Sequence, residues 1–256
     1  MKTKLKTRFV LRSALFLSIL LVFFGCGSNS PAKGQSIFDL LARCFEPTLN
    51  AADLCDPQKV TFSLNSTNPY YPLHVGLQTI LEGEEDGELL RVERTVLADT
   101  QVVSGVTTRI LEHKSYINGE IHEIARNFYV EASNGTVCYF GEDVEFYEDG
   151  ALANLQGTWR AEGDAKPGII MPAMPAVGQG YFQEGALGIA EDMGRVTSTT
   201  ETREYAGISY DNVVIVQDSN PIDTEATCVE EEKAYVAGIG EVADVGLELV
   251  SFTPGA

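Results

Sequence analysis

A dense run of carboxylates occupies the segment 142–149. Calcium takes several hard oxygen ligands from a single loop, which makes Asp143, Glu145 and Asp149 the candidate metal ligands. The EF-hand pattern of alternate acidic residues, a glycine and a late glutamate is absent from this run. Neighbouring side chains on a strand also point to opposite faces. A solvated acidic loop therefore explains the run better than a bound ion, and no cofactor is predicted.

Carboxylates also perform acid/base chemistry, as in glycosidases, where one carboxyl group protonates the leaving oxygen and a second attacks or activates water. Glu142 with Glu184 or Asp192 is the candidate pair for such a reaction. Acidic residues are abundant here, so coincidence explains the same observation. The G-x-S-x-G elbow of serine hydrolases is absent. We predict a protein that is not an enzyme, with a carboxylate-dependent hydrolase as an alternative.

Aromatic residues form a second group of candidate binding residues, because several of them flank turns and an irregular middle segment. The candidates are Tyr70, Tyr71, Trp159, Tyr181 and Phe182. Placed against a sheet, such side chains line the concave apolar pockets that small ligands prefer. A second layer of the hydrophobic core is the alternative explanation.

The cysteines beyond residue 26 indicate disulfides rather than a zinc site. There are four of them, Cys44, Cys55, Cys138 and Cys228. No C-x-x-C pair occurs, and the histidines lack ligand spacing. Four thiols in an oxidising compartment allow three connectivities. We favour a local Cys44–Cys55 loop and a long-range Cys138–Cys228 link between two strands.

The elements that must position these residues are mainly strands. From residue 59 onward, segments rich in β-branched and aromatic residues alternate with hairpin turns such as Asn-Gly and Asp-Gly. This pattern predicts a mainly β fold over 59–254, in which a single antiparallel meander forms a curved sheet or an incomplete barrel around an irregular segment at 151–192. Residues 36–46 carry an amphipathic stripe, so a short N-terminal helix is expected, tied back by the cysteine loop within 36–58.

Two later strands differ in their polarity. The run of apolar residues at 213–216 is typical of a strand that is buried on both faces. The segment 195–205 is almost entirely polar, which predicts an edge or largely solvated strand.

The charge of the chain excludes some partners. It has 18 basic and 37 acidic residues, for a formal net charge of −19. No basic cluster offsets this charge beyond the first 25 residues, so we expect no binding to nucleic acid. The same charge repels anionic lipid headgroups. An apolar content of 44% is sufficient for a folded core.

The N-terminus reads as a secretory signal, because five basic residues up to Arg12 precede a short apolar run that ends at Phe24. That run is shorter than the roughly 20 apolar residues that span a membrane. Gly25 and Cys26, with the preceding phenylalanines, resemble the lipobox of bacterial lipoproteins, in which the cysteine thiol receives a lipid; a plain secretory signal is the alternative. The resemblance implies a signal peptide at 1–25, lipidation of Cys26 and a flexible tether at 26–35.

Several blocks between residues 68 and 252 resemble an uncharacterised family of bacterial secreted proteins and lipoproteins. They include 68–73 (N-P-Y-Y-P-L), 139–143 (Y-F-G-E-D) and 235–240 (Y-V-A-G-I-G). The family resemblance implies no activity.

Gly27 after the cysteine resembles the default signal for the outer membrane, with the protein facing the periplasm or the cell surface.

Together these patterns predict a monomeric, lipid-anchored protein of the cell envelope. Its expected role is non-catalytic binding of a small apolar ligand, such as a lipid or an acyl chain. The alternatives are a structural or interaction module for another envelope protein, and the hydrolase above.

Overall fold

Within the described residues, fifteen strands form one antiparallel sheet that is not closed. The computed structural model describes residues 44–85, 87–222 and 230–256. The mainly β prediction is therefore confirmed. The signal peptide, Cys26, the tether and Cys228 lie outside the described residues.

The sheet consists of two runs of hairpins joined along one path. The first run comprises β2 (Gln78–Glu85), β3 (Glu88–Val103), β4 (Val106–Ile117), β5 (Glu120–Ala132), β6 (Val137–Glu148) and β7 (Ala151–Asn154). The second comprises β10 (Gly180–Phe182), β11 (Met193–Tyr205), β12 (Ile208–Ser219), β13 (Glu231–Val236), β14 (Gly240–Asp244) and β15 (Leu247–Thr253). Consecutive strands pair within each run, and β15 pairs with β2. The predicted meander is thus present, in two parts.

Three short strands lie beside this path. β1 (Phe62–Ser63) pairs with β5, whereas β8 (Trp159–Arg160) and β9 (Gly168–Met171) pair with β6. The irregular segment 151–192 therefore contributes four short strands, β7 to β10, separated by loops.

The sheet is strongly curved, as one tyrosine shows. The ring of Tyr71 lies 5.1 Å from that of Tyr129 on β5 and 6.4 Å from that of Tyr235 on β13. Six inter-strand steps separate β5 from β13 along the sheet, which is about 29 Å on a flat surface. The sheet must therefore wrap around Tyr71, and the curved-sheet prediction is confirmed.

Both faces of the sheet carry apolar clusters. Val214 and Val216 belong to the cluster on the concave face, together with Tyr71 and Tyr235, whereas Val213 and Ile215 belong to the cluster on the other face. The prediction that 213–216 is buried on both faces is confirmed. Most of β11 beyond its first residues is partly or fully exposed, also as predicted.

The predicted disulfide pairings are wrong. Cys55 is bonded to Cys138, with a Cα–Cα distance of 5.8 Å. The cause is the position of the helix α1 (Ala51–Leu54), because the carbonyl of Leu54 accepts a hydrogen bond of 2.9 Å from the side chain of Asn134, beside β6. Cys44 is also disulfide-bonded, so its partner is not Cys55.

The helix prediction also needs correction. Residues 44–46 are not helical, and the rest of the predicted helix 36–46 lies outside the described residues. The observed helix begins at Ala51, five residues beyond Glu46, and the preceding Asn50 caps it by accepting a 3.0 Å hydrogen bond from the amide of Ala52.

Candidate functional site

The concave side of the sheet encloses a cavity of about 50 Å³ that is lined mainly by polar residues. Seven of its lining residues are ionisable acids or strong bases: Arg94, Glu142, Glu184, Asp192, Lys233, Glu241 and Asp244. They come from β3, β6, β13, β14 and the loop that joins β10 to β11. The site therefore exists only when distant parts of the chain fold together.

Strand alternation places these polar groups inside. Lys233 and Tyr235 on β13 both line the cavity, whereas Ala234 between them packs in the cluster on the opposite face. The same rule separates two adjacent acids on β6. Glu142 is buried in the cavity, but Asp143 points outward to an ion pair with Arg160 at 2.6 Å. The expectation that a strand would divide the acidic run is confirmed.

Two buried ion pairs hold the cations of the site. The Nζ of Lys233 contacts Oδ2 of Asp218 on β12, and an Nη of Arg94 contacts Oε2 of Glu241 across the curved sheet. Gln183 donates a further hydrogen bond of 2.8 Å to Oδ1 of Asp218. Buried charges require such partners, because their desolvation is costly.

Four other cavity carboxyls, Glu142, Glu184, Asp192 and Asp244, form no salt bridge with any residue in the described part of the chain. Burial raises the pKa of each of them. The charge of Glu184 raises the pKa of Glu142 and of Asp192 further. Like charges in one desolvated site disfavour simultaneous ionisation.

The structure brings together the three candidate catalytic carboxyls, Glu142, Glu184 and Asp192. A backbone hydrogen bond of 2.7 Å from the amide of Gln183 to the carbonyl of Asp192 closes the loop between β10 and β11 and places Glu184 beside Asp192. Glu142 pairs across the sheet with Trp159. The neighbouring indole of Trp159 lowers the pKa of both Glu142 and Glu184, although less than burial raises it.

Several polar atoms of the cavity residues have no hydrogen-bond partner. Within the described residues they are Oδ1 of Asp192, Oδ1 of Asp244, Nε2 of His113 and the donor Nε of Arg94. Burial lowers the pKa of His113 to about 3, with smaller contributions from Arg94 and Lys233. The imidazole is therefore neutral and offers an acceptor nitrogen rather than a third cation.

The candidate metal ligands are not assembled. Asp143 pairs with Arg160, Glu145 accepts hydrogen bonds from Arg126 and Tyr147, and Asp149 lies exposed in the β6–β7 turn. Among the described residues, no group of three or more histidine, cysteine or acidic side chains is arranged to hold a metal ion.

The five candidate pocket aromatics divide into separate environments. Tyr71 and Trp159 are buried and stand at opposite ends of a row of rings that runs through Tyr129 and Tyr139, with centroid separations of 5.1, 4.5 and 5.3 Å. Tyr71 also borders a smaller cavity of about 20 Å³. Tyr181 is buried near Gly194, and Tyr70 and Phe182 are partly exposed. Tyr71 and Trp159 thus form part of the core beside the polar cavity.

Sequence reasoning missed five of the eight charged residues of the site, namely Arg94, Asp218, Lys233, Glu241 and Asp244. Each is a charged residue on a strand, which normally indicates a solvated face. A usable signal exists at Lys233, which shares the inward-facing alternation of Tyr235.

Comparison of the chain with protein-family models, with curated proteins and with solved structures gives no match. Within the described residues, no helix has the length and apolar character needed to span a membrane.

Proposed function

We propose that this chain is a lipid-anchored protein of the bacterial cell envelope whose β domain binds a small polar ligand inside the curved sheet, without catalysis. The observation that carries the proposal is the charged cavity with its unpaired buried atoms. Buried polar groups almost always have hydrogen-bond partners, and each one left unpaired costs about 1–3 kcal/mol. A cavity whose residues retain four such atoms among the described part of the chain is suited to a polar guest.

The size and polarity of the cavity favour a polar ligand over a lipid. Pockets for drug-sized molecules occupy roughly 300–1,000 Å³ and are mostly apolar, whereas this cavity of about 50 Å³ is lined by five carboxyls and two strong bases. A site for one water needs only about 10–15 Å³. The cavity therefore suits a ligand of a few heavy atoms.

Trp159 provides the assay for binding. It is the only tryptophan of the chain, it pairs in register with Glu142, and its ring lies 5.3 Å from that of the cavity residue Tyr139. Small cationic, anionic and neutral polar solutes are titrated separately while its emission is recorded. We expect a saturable change with one class of solute, lost in Trp159→Phe while binding by calorimetry persists. The absence of saturable binding for every class, or saturable uptake of a hydrophobic fluorophore instead, would refute the polar-ligand proposal.

The anchor rests on the sequence around Cys26 and has its own test. Radiolabelled palmitate should be incorporated into the full-length protein expressed in a bacterium, and Cys26→Ser should abolish labelling. Cell fractionation should find the unsubstituted protein with the outer membrane. An unlabelled protein released into the periplasm would support a plain secretory signal instead.

A second candidate is an acid/base hydrolase, favoured by the assembly of Glu142, Glu184 and Asp192. A carboxyl with a raised pKa can retain a proton for transfer near neutral pH. If this candidate holds, Glu184→Gln abolishes hydrolysis of a small glycoside or ester while the thermal midpoint is retained. Equal turnover by both proteins would reject it.

A further inference from the structure

We propose that the ligand of the cavity is a small ammonium-type cation, held by Glu142, Glu184, Asp192 and Asp244. This inference rests on the proposed binding function and names the chemistry of its ligand. It follows from the charges that the interior leaves uncompensated, from the hydrogen-bonding type of the unpaired atoms, and from a cation that the same interior already holds.

The charge balance of the site is negative. Five carboxyls and two strong bases line the cavity. One of the bases, Lys233, is already paired with Asp218, which is not one of the lining residues. The other base, Arg94, forms an ion pair with Glu241. Burying several carboxylates without counter-charge is very unfavourable, so the remaining four are neutralised either by protons or by a bound cation.

Three of the four unpaired atoms lie on groups that can accept hydrogen bonds, and the fourth is the Nε donor of Arg94, whose guanidinium is already paired with Glu241. An ionised carboxylate only accepts hydrogen bonds, and a neutral imidazole presents one accepting nitrogen. Asp192 and Asp244 each present such an atom among the cavity residues, and Nε2 of His113 is an acceptor in the tautomer that is protonated at Nδ1. An ammonium group only donates, with three or more N–H bonds, so it complements this set. An anion would meet the carboxylates directly and be repelled.

Lys233 shows that this interior accommodates an ammonium group. Its Nζ is a primary ammonium whose side chain is only 8% exposed, and it contacts Asp218 within the sheet. A methylammonium ion carries the same group without the aliphatic chain. The cavity has room for it, because a volume of about 50 Å³ exceeds that of one water site several-fold.

Binding exchanges a proton for the cation. A carboxyl of the cluster loses its proton to solvent, the carboxylate accepts N–H hydrogen bonds from the ammonium ion, and no covalent bond changes. The titratable and charged groups that face the cluster from the neighbouring strands are Arg94, His113, Glu123, Tyr129, Tyr139, Asp218, Lys233, Tyr235 and Glu241. Affinity should rise with pH until the amine itself begins to deprotonate, near pH 10 for a primary amine.

The test is calorimetric titration of the intact protein with methylammonium chloride, in two buffers of different ionisation enthalpy. We expect saturable binding with release of about one proton per cation. Tetramethylammonium, which has no N–H donor, and sodium at equal ionic strength should not bind. Binding of tetramethylammonium equal to that of methylammonium would overturn the hydrogen-bonding argument.

Two variants locate the site. Asp192→Asn and Asp244→Asn should each weaken methylammonium binding by about tenfold or more, because each removes a charged acceptor. Asparagine resembles the neutral acid in shape, so both variants should fold, which their thermal midpoints will verify. Asp143→Asn is the matched control, since Asp143 lies outside the cavity on the same strand as Glu142. Unchanged binding in both cavity variants would overturn the assignment.

The failure of this inference is distinguishable from failure of the proposed function. Saturable binding of acetate or glycerol, but not of methylammonium, would overturn the cation and leave a polar-ligand module. No saturable binding of any of these solutes would overturn both.

Discussion

Lys233 on β13 and Asp218 on β12 form a diagonal ion pair between adjacent strands, and their side chains are 8% and 5% exposed. Removing one member of a buried pair leaves a charge without compensation, which costs about 3–5 kcal/mol. Lys233→Met should therefore destabilise the domain by that amount in urea denaturation.

The matched control is Lys59→Met, because Lys59 forms an ion pair with Asp53 at the surface. Exposed pairs contribute little, so this variant should unfold at nearly the same urea concentration as the unsubstituted protein. Similar losses in the two variants would show that burial of the Lys233 pair has no special effect.

The buried carboxyl of Glu123 should give the stability of the domain an unusual pH dependence. Burial raises the pKa of this carboxyl from 4.5 to about 8, so the folded state keeps a proton that the unfolded chain releases. Its stabilising contribution is complete below pH 4.5 and is lost as the pH rises through about 8. Glu123→Gln should flatten the decline in stability between these limits and stabilise the protein by a few kcal/mol at the upper one.

Urea midpoints measured from pH 5 to pH 9 check this prediction. Glu162→Gln, at an exposed position between β8 and β9, is the control and should leave the pH profile unchanged. A profile of Glu123→Gln that follows the unsubstituted protein would contradict the burial argument.

His113 should behave in the opposite sense. Its pKa is lowered to about 3, so its contribution to stability is present above the unfolded pKa of about 6.5 and is lost as the pH falls towards 3. The imidazole NMR signals of His113 should not shift between pH 8 and pH 5, whereas the same residue in the urea-unfolded chain should titrate. A midpoint near 6.5 in the folded protein would show that the ring is accessible to solvent.

The Cys55–Cys138 bond closes a sequence separation of 83 residues, for which the chain-entropy model gives about 4.5 kcal/mol of stabilisation. The double variant Cys55→Ala/Cys138→Ala should lose much of that value in denaturation under non-reducing conditions. Peptide mapping of the intact protein should recover a Cys55–Cys138 fragment. Recovery of a Cys44–Cys55 fragment would instead support the local pairing predicted from the sequence.

The strands were largely predictable because their signals are local. Asn118-Gly119 and Asp149-Gly150 adopt the positive φ angles of tight hairpin turns, at 52° and 83° and at 51° and 76°. The alternation between Glu142 and Asp143 likewise follows from strand geometry alone.

The remainder depends on long-range pairing, which local pattern does not encode. Nothing near Cys55 indicates that α1 lies beside β6. Lys233 resembles a surface lysine until the register of β12 and β13 places it opposite Val216, with Asp218 two residues further along its neighbour. Glu142, Glu184 and Asp192 could be proposed from the sequence as a group of acidic residues. Their burial, however, follows from the curvature of the whole sheet.

The pairing of β15 with β2 has a consequence for how the domain folds. These strands are separated by almost the entire described β region, yet they are neighbours in the sheet. Closing such a distant contact carries a large loop entropy, and topologies dominated by non-local pairs fold slowly. The two hairpin runs can form independently, but the interior surrounding Tyr71 is completed only when they meet. We therefore expect the acquisition of fixed tertiary packing to lag behind β-strand formation, with Glu142 and Lys233 still hydrated in the interval.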